Sequence, residues 1–330
     1  MKKNIFSLFM ILLFIGCNQN TAMNFDEISN EIAMNNDLNE FRENINYVAF
    51  DYDIDFRTFS CKINESIFTI KIADIEIFSD SLKIPFTVAN KNYIKHGTVY
   101  KEIKNDQSGI LLSFDDYYST WDDVLSIFKE NHIFATWFVK GGTVTDFILN
   151  ANKDGQCIGY HTKNHTMLKY LSKDTYDNYI DKFDWECIHF LGVFRQAGIP
   201  MKTFAIPHGN GLIYDWQIKR LYSKGHIQII RDFDPNFHLY TAEEIKSGYI
   251  SSQSIDNNKF TDDEEFKSNI LERLLITKMT QKIYPCTSHT FSDDVGTGGG
   301  YSLTYDRLYY LFEVIKNLQL KTYTFEDFCE

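Results

Sequence analysis

Gly109-Ile110-Leu111-Leu112-Ser113-Phe114-Asp115-Asp116 decides how the rest of the chain is read. A compact apolar run that closes on two acids has the texture of a buried parallel strand whose end carries chemistry. Outward from it, Trp121 to Asn131 has helical spacing, with Val124, Ile127 and Phe128 on one face. Phe134 to Val139 reads as a second buried strand, punctuated by Gly141-Gly142, and Gly155 to Tyr160 as a third. Tyr176 to Ala197 reads as one long helix closed by Gly198. Thr203 to Ile206 (strand), Trp216 to Ser223 (helix), Ile227 to Ile230 (strand) and Ile283 to Ser288 (strand) continue the alternation. Tyr305 to Asn317 is the last amphipathic helix, with a short strand near Lys321 to Thr324. This alternation is that of an α/β protein, a distorted (β/α) barrel. Its site is expected where the strands end.

The polar residues that stand out all follow predicted strands: Asp115 and Asp116, then His161 and His165, then Pro207-His208-Gly209, then His289. Two adjacent carboxylates repel unless a cation or proton lies between them. One can bind a metal while the other takes a proton; a solvated acidic turn is the plain alternative. His161 and His165 stand four apart, and on a helical turn their imidazoles project to one side, a spacing that suits one zinc-like ion. Two histidines and a carboxylate leave coordination positions open, as a catalytic rather than a structural metal site does.

Ser113-Phe114-Asp115-Asp116, followed by a helix and then Ala135-Thr136-Trp137-Phe138-Val139, resembles the opening of the polysaccharide deacetylase family, carbohydrate esterase family 4. Gly159-Tyr160-His161-Thr162-Lys163-Asn164-His165 resembles its metal motif. Phe204-Ala205-Ile206-Pro207-His208-Gly209 resembles its third motif, and Ser288-His289 its last. The resemblance implies Asp115 as general base, Asp116, His161 and His165 as ligands of a divalent ion (zinc, or cobalt or nickel) and His289 as general acid. It implies an oxyanion contact from the backbone of His208 beside Pro207. Three positions depart from the family. Ala205 stands where an arginine usually steadies the base, with Arg231 a candidate substitute. Tyr117 stands where a glycine usually follows the acid pair, and is expected to reshape the groove. For the remaining aspartate of the family, Asp232 and Asp234 are the candidates. His96, His132, His189, His226 and His238 match no motif, and the Gly296–Gly300 run lacks the Lys-Ser/Thr of a phosphate loop.

The deacetylase domain is expected over 108–330, preceded by a β-rich accessory region at 47–107, a polar tether at 17–46 and a lipoprotein signal peptide at 1–16. Lys2, Lys3, the apolar run Ile5–Ile15 and Gly16-Cys17 carry that last reading, in which a lipidated Cys17 holds the protein to the membrane in the extracytoplasmic cell envelope. With Cys17 removed from the six cysteines, an odd number remains, so mostly buried free thiols are expected. Lys plus Arg is 33 against 45 Asp plus Glu, a net charge of −12, which disfavours nucleic acid as a partner. Aromatic residues make up 16% of the chain, most of them expected in the core. The expected activity is removal of acetyl groups from an N-acetylated polysaccharide or oligosaccharide. The alternatives are a non-catalytic carbohydrate binder on a degenerate deacetylase fold and a metal-dependent amidase of non-sugar substrates.

Overall fold

This computed structural model describes residues 107–171, 181–294 and 300–330, and the backbone of six strands between residues 48 and 102. The signal peptide, Cys17, the tether, the start of the predicted long helix and Gly296 to Gly299 lie outside the described residues. The chain divides into two compact units. In one, β1 (Val48–Asp53), β2 (Thr58–Ile63), β3 (Ser66–Lys71), β4 (Glu76–Ile77), β5 (Ser81–Ala89) and β6 (Ile94–Glu102) form an antiparallel sheet in the order β1-β2-β3-β5-β4, with β6 paired to β5. This unit is β-rich, as its alternating segments predict.

The other unit, Gly109–Phe266 with Lys282–Glu330, is a parallel barrel. Its strands are β7 (Gly109–Asp116), β8 (Thr136–Val139), β9 (Cys157–Tyr160), β10 (Thr203–Ala205), β11 (Ile229–Phe233), β12 (Tyr249–Ser254) and β13 (Ile283–Ser288). They pair in sequence order, and β13 pairs back onto β7, which closes the ring. A short β14 (Thr290–Ser292) pairs with β15 (Ser302–Thr304), and β16 (Lys321–Tyr323) pairs with β7. One edge of β7 is thus shared: residues 109–111 take β16 and residues 113–116 take β8.

The helices of this unit include α1 (Thr120–Glu130), α2 (Asp146–Lys153), α3 (Lys182–Cys187), α4 (Leu191–Gln196), α5 (Asp215–Ser223) and α6 (Ala242–Lys246), whereas α7 (Asp263–Thr280) falls largely in the first unit, and α8 (Tyr305–Asn317) again belongs to the barrel unit. All of β7 is buried. Side chains alternate along a strand. Leu111 joins Phe138, Ala205, Ile250 and Ile283 in the core cluster, which Phe325 and Phe328 from the C-terminus complete. Phe114 faces the helices instead, stacked on Trp137 at 4.7 Å, with Trp121, Phe128 and Phe291 around it. Much of the aromatic content is therefore core, as expected.

The long helix expected up to Ala197 is two short ones where described. Phe183, Cys187, Leu191 and Phe194 are all buried at helical spacing, so the apolar stripe runs straight through the break. The backbone does not: both Ile188 N and His189 N donate to Asp184 O, which turns the chain before α4. Cys157, Cys187 and Cys286 are buried free thiols and Cys329 is a partly buried one. Burial pushes the Cys157 thiol up to about 12, so it stays protonated. Among the described residues, no helix is long and apolar enough to cross a membrane.

Candidate metal and hydrolytic site

The C-terminal ends of β7, β9, β11 and β13 converge on one cleft of about 440 Å3. Asp115, Asp116, His161, His165, Arg231 and His289 all line it. His208 also lines it, whereas Pro207 is buried beneath the turn and neither it nor Tyr117 faces the cleft.

On one side, Asp116, His161 and His165 offer ligand atoms that lie within 4.8 Å of one another. Asp116 Oδ1 is 3.8 Å from His161 Nε2 and 3.5 Å from His165 Nε2. His161 Nδ1 lies 2.9 Å from the Ala205 carbonyl oxygen, to which it donates as an N–H, so that Nε2 presents its lone pair to the cleft. Burial, with the neighbouring His165 and Arg231, draws the His161 imidazole down to about 4, against the opposing pull of Asp115 and Asp116, so the ring is neutral at pH 7. Asp116 Oδ1 is buried and accepts no hydrogen bond. An ionised oxygen so placed, beside two imidazole nitrogens, favours a cation, and the Lys140 ammonium already lies 3.5 Å from it. The donor set fits a zinc-like divalent ion.

The loop that carries the histidines is not the helical turn expected from their spacing. Thr162 and His165 have φ of +66° and +57°, and an irregular bend brings both rings to one side. Glu186 of α3, which sequence reading passed over, braces that bend. Its carboxylate accepts from Asn164 N at 2.9 Å and Asn164 Nδ2 at 2.6 Å, and its carbonyl accepts from Lys163 N.

Beside the ligand set, Asp115 Oδ2 is 4.0 Å from His161 Nε2, and Asp115 is held by Arg231, whose Nη2 donates to Oδ1 and whose guanidinium lies over the Phe138 ring at 5.0 Å. Arg231 on β11 is the register partner of Ala205 on β10. The charge missing from the third motif is thus supplied by the next strand. Burial raises the Asp115 carboxyl, but Arg231, His161 and His289 together outweigh it, and the group sits below the usual carboxylate range.

His289 follows β13, and its Nδ1 donates to Asp256 Oδ2 at 3.0 Å. Ser254 and Ser288 hydroxyls donate to the two oxygens of Asp256 at 2.7 Å each. Trp121 Nε1 donates to the His289 carbonyl at 2.7 Å, which fixes the backbone. Burial alone lowers the imidazole, yet the Asp256 carboxylate overcomes it and lifts His289 to about 9. The ring is therefore a cation at neutral pH, able to give up a proton.

Two expectations need correction. The partner of His289 is Asp256, not Asp232 or Asp234. Asp232 Oδ2 accepts from Gly211 N and the Tyr249 hydroxyl, bracing the loop after β10, while Asp234 pairs with His238 in an exposed turn. Tyr117 does not shape the groove: its ring packs on Trp121 and Phe147, both at 5.7 Å, and Tyr118 faces the cleft in its place. Gly209 is required where it stands. Its φ is +55°, and a Cβ there would lie 2.3 Å from Phe233 Cβ. Of the remaining histidines, His189 stacks on Trp185, His132 and His226 sit in turns with positive φ, and the His96 side chain lies outside the described residues.

Residues 102–224 match the family model described as polysaccharide deacetylase. Among solved structures, the chain is similar to the chitin deacetylase of the fungal pathogen Colletotrichum lindemuthianum, at 19% identity over 68% of this chain and 88% of that one, with a TM-score of 0.45. It is similar to a peptidoglycan N-acetylglucosamine deacetylase at 16% identity, over 68% and 88%, with a TM-score of 0.44. It is also similar to a Streptococcus mutans CE4 esterase at 14% identity, over 67% and 87%, with a TM-score of 0.42. No protein of curated function matches the sequence. The Asp-Asp strand end and the paired histidines both fall within residues 102–224, the span over which the chain matches the polysaccharide deacetylase family.

Proposed function

We propose that the protein is a divalent-metal-dependent N-deacetylase of an amino-sugar polymer, held at the outer side of a membrane by a lipid on Cys17. The observation that carries the reaction is the placement of three ligand atoms within 4.8 Å between an Arg231-held carboxylate and an Asp256-held imidazole. When bound at Asp116, His161 and His165, zinc or a similar ion would acidify water and polarise the acetamide carbonyl. Asp115, kept ionised beside Arg231, takes a proton from the attacking water. The backbone N–H of His208, at the rim of the cleft, is the donor assigned to the developing oxyanion. His289, cationic beside Asp256, protonates the leaving sugar nitrogen, which releases acetate and a free amine.

The test is acetate release from N-acetylglucosamine oligomers with zinc, cobalt or nickel added. A folded, metal-loaded protein that releases none would refute the reading. Ala205, Tyr117 and the unassigned aspartate motif favoured a binding protein without activity; Arg231 beside Asp115 and Asp256 beside His289 count against it. The anchor rests on Lys2, Lys3, the apolar run to Ile15 and Gly16-Cys17. A Cys17→Ala chain is expected to leave the membrane fraction; unchanged partitioning would count against lipidation.

A further inference from the structure

Asp116 has two neighbours that the proposed reaction does not use. The Tyr118 hydroxyl donates to Asp116 Oδ2 at 3.0 Å, on the side away from the histidines. The Lys140 ammonium lies 3.5 Å from Oδ1, the same oxygen that His161 and His165 approach. It also lies 5.6 Å from the centre of the Tyr118 ring, so the three side chains form one cluster. Both neighbours are placed by backbone. Asp116 has φ +88° and ends β7, and Lys140 N donates to Asp116 O just past the paired Val139.

We propose that Tyr118 and Lys140 tune the ion affinity of the Asp116–His161–His165 site in opposite senses, Tyr118 by orienting the ligand and Lys140 by competing for it. The inference rests on the metal reading of that site. A carboxylate at an irregular strand end can turn about its Cα–Cβ and Cβ–Cγ bonds. The Tyr118 hydrogen bond fixes Oδ2 and thereby leaves Oδ1 aimed at the two imidazoles. Such outer partners of a ligand set both its orientation and its basicity. Lys140 acts against this. A divalent ion held by Asp116 would be repelled by an ammonium that lies 3.5 Å from Oδ1. The Lys140 side chain is 41% exposed, so it can swing into water when an ion arrives. Until then it neutralises an oxygen that is buried and accepts no hydrogen bond. The site is in this way kept formed by a charge of its own, and an incoming ion must outbid that charge.

The experiment is titration of the full chain with Zn2+ and with Co2+, following heat and the cobalt absorption bands, with no substrate present. Tyr118→Phe is expected to weaken binding on the order of tenfold or more, with little change in the melting temperature of the metal-free protein. Lys140→Met and Lys140→Gln are expected to tighten binding about three- to tenfold. Parent-like affinity in Tyr118→Phe, or unchanged or weaker binding in both Lys140 variants, overturns the proposal. Should Tyr118→Phe fail to fold, the Lys140 pair decides. A parent chain that takes up no ion sinks both this inference and the metal reading. A parent chain that binds an ion and shows the opposed shifts, yet releases no acetate, sinks the deacetylase reading alone.

Discussion

Replacing Arg231 with methionine removes the guanidinium that holds Asp115 and keeps most of the side-chain volume. The pair is almost wholly enclosed: the side chains of Arg231 and Asp115 are 1% and 6% exposed. Breaking a buried pair from one side costs about 3–5 kcal/mol of stability, because the other charge is left uncompensated. The catalytic consequence is sharper. Burial already pushes the Asp115 carboxyl up, and Arg231 is the foremost of the groups that bring it below its ordinary 3.8. Without that charge a buried carboxyl can rise by several units, each worth about 1.4 kcal/mol. Burial then acts with less opposition, and the base holds its proton to higher pH. The acid limb of kcat/KM is then expected to move to higher pH, and the defect to shrink as the pH is raised. Folding stability follows the same sign. A depressed carboxyl stabilises the fold above its unfolded pKa and loses that contribution as pH falls through the folded value, and in Arg231→Met this acid-side loss is expected to disappear. An acid limb that stays where it is in a folded Arg231→Met enzyme would refute the assignment. Ala205→Arg in an Arg231→Ala background, which returns the charge one strand away, is expected to recover part of the activity.

Asp256→Asn is expected to lower the His289 imidazole from about 9 towards its ordinary 6.5; the alkaline limb of kcat should fall with it, and an unmoved limb would exclude His289 as the acid. The same shift has a sign in stability. A raised imidazole stabilises the fold fully below pH 6.5 and loses that contribution as pH climbs through 9, about 3 kcal/mol at most, so metal-free melting temperatures should decline over that window in the parent and stay flatter in Asp256→Asn. Asp115→Asn should abolish turnover while ion binding survives, and calorimetric titration with Zn2+ checks both halves. His165→Ala removes one of three ligands, and its zinc affinity is expected to drop at least a hundredfold, read by competition with a chromophoric chelator.

Much of the barrel was legible because apolar runs at β7, β8, β9 and β13 end on polar residues whose chemistry has no use in a core. The strand that carries the way to Asp256 was not. Along β12 the inward positions are Ile250, Ser252 and Ser254, so two of its three buried side chains are hydroxyls and the apolar signal of a strand is missing. Ser254 is polar because it holds Asp256, so the feature that hid the strand is the one that serves the site. Arg231 was visible as a charge near a strand end, but its service to Asp115 depends on lying beside Ala205 in the sheet, and register is a property of pairing that spacing along the chain does not encode. The split of the predicted long helix was invisible for a related reason. The stripe of Phe183, Cys187, Leu191 and Phe194 reports which side is covered, not whether the axis bends. Tyr118 rather than Tyr117 faces the cleft because Asp116 and Tyr117 both take positive φ, which turns successive side chains away from strand alternation.

The order in which the ring closes bears on how the protein comes to life. Asp116, His161 and His165 belong to β7 and the segment just past β9, neighbours early in the chain, whereas Arg231, Asp256 and His289 arrive with later strands and His289 only with the one that seals the ring. On the proposed reading, the three ligands of the ion are thus set by early strands, whereas the proton donor joins them only through the pairing of β13 with β7.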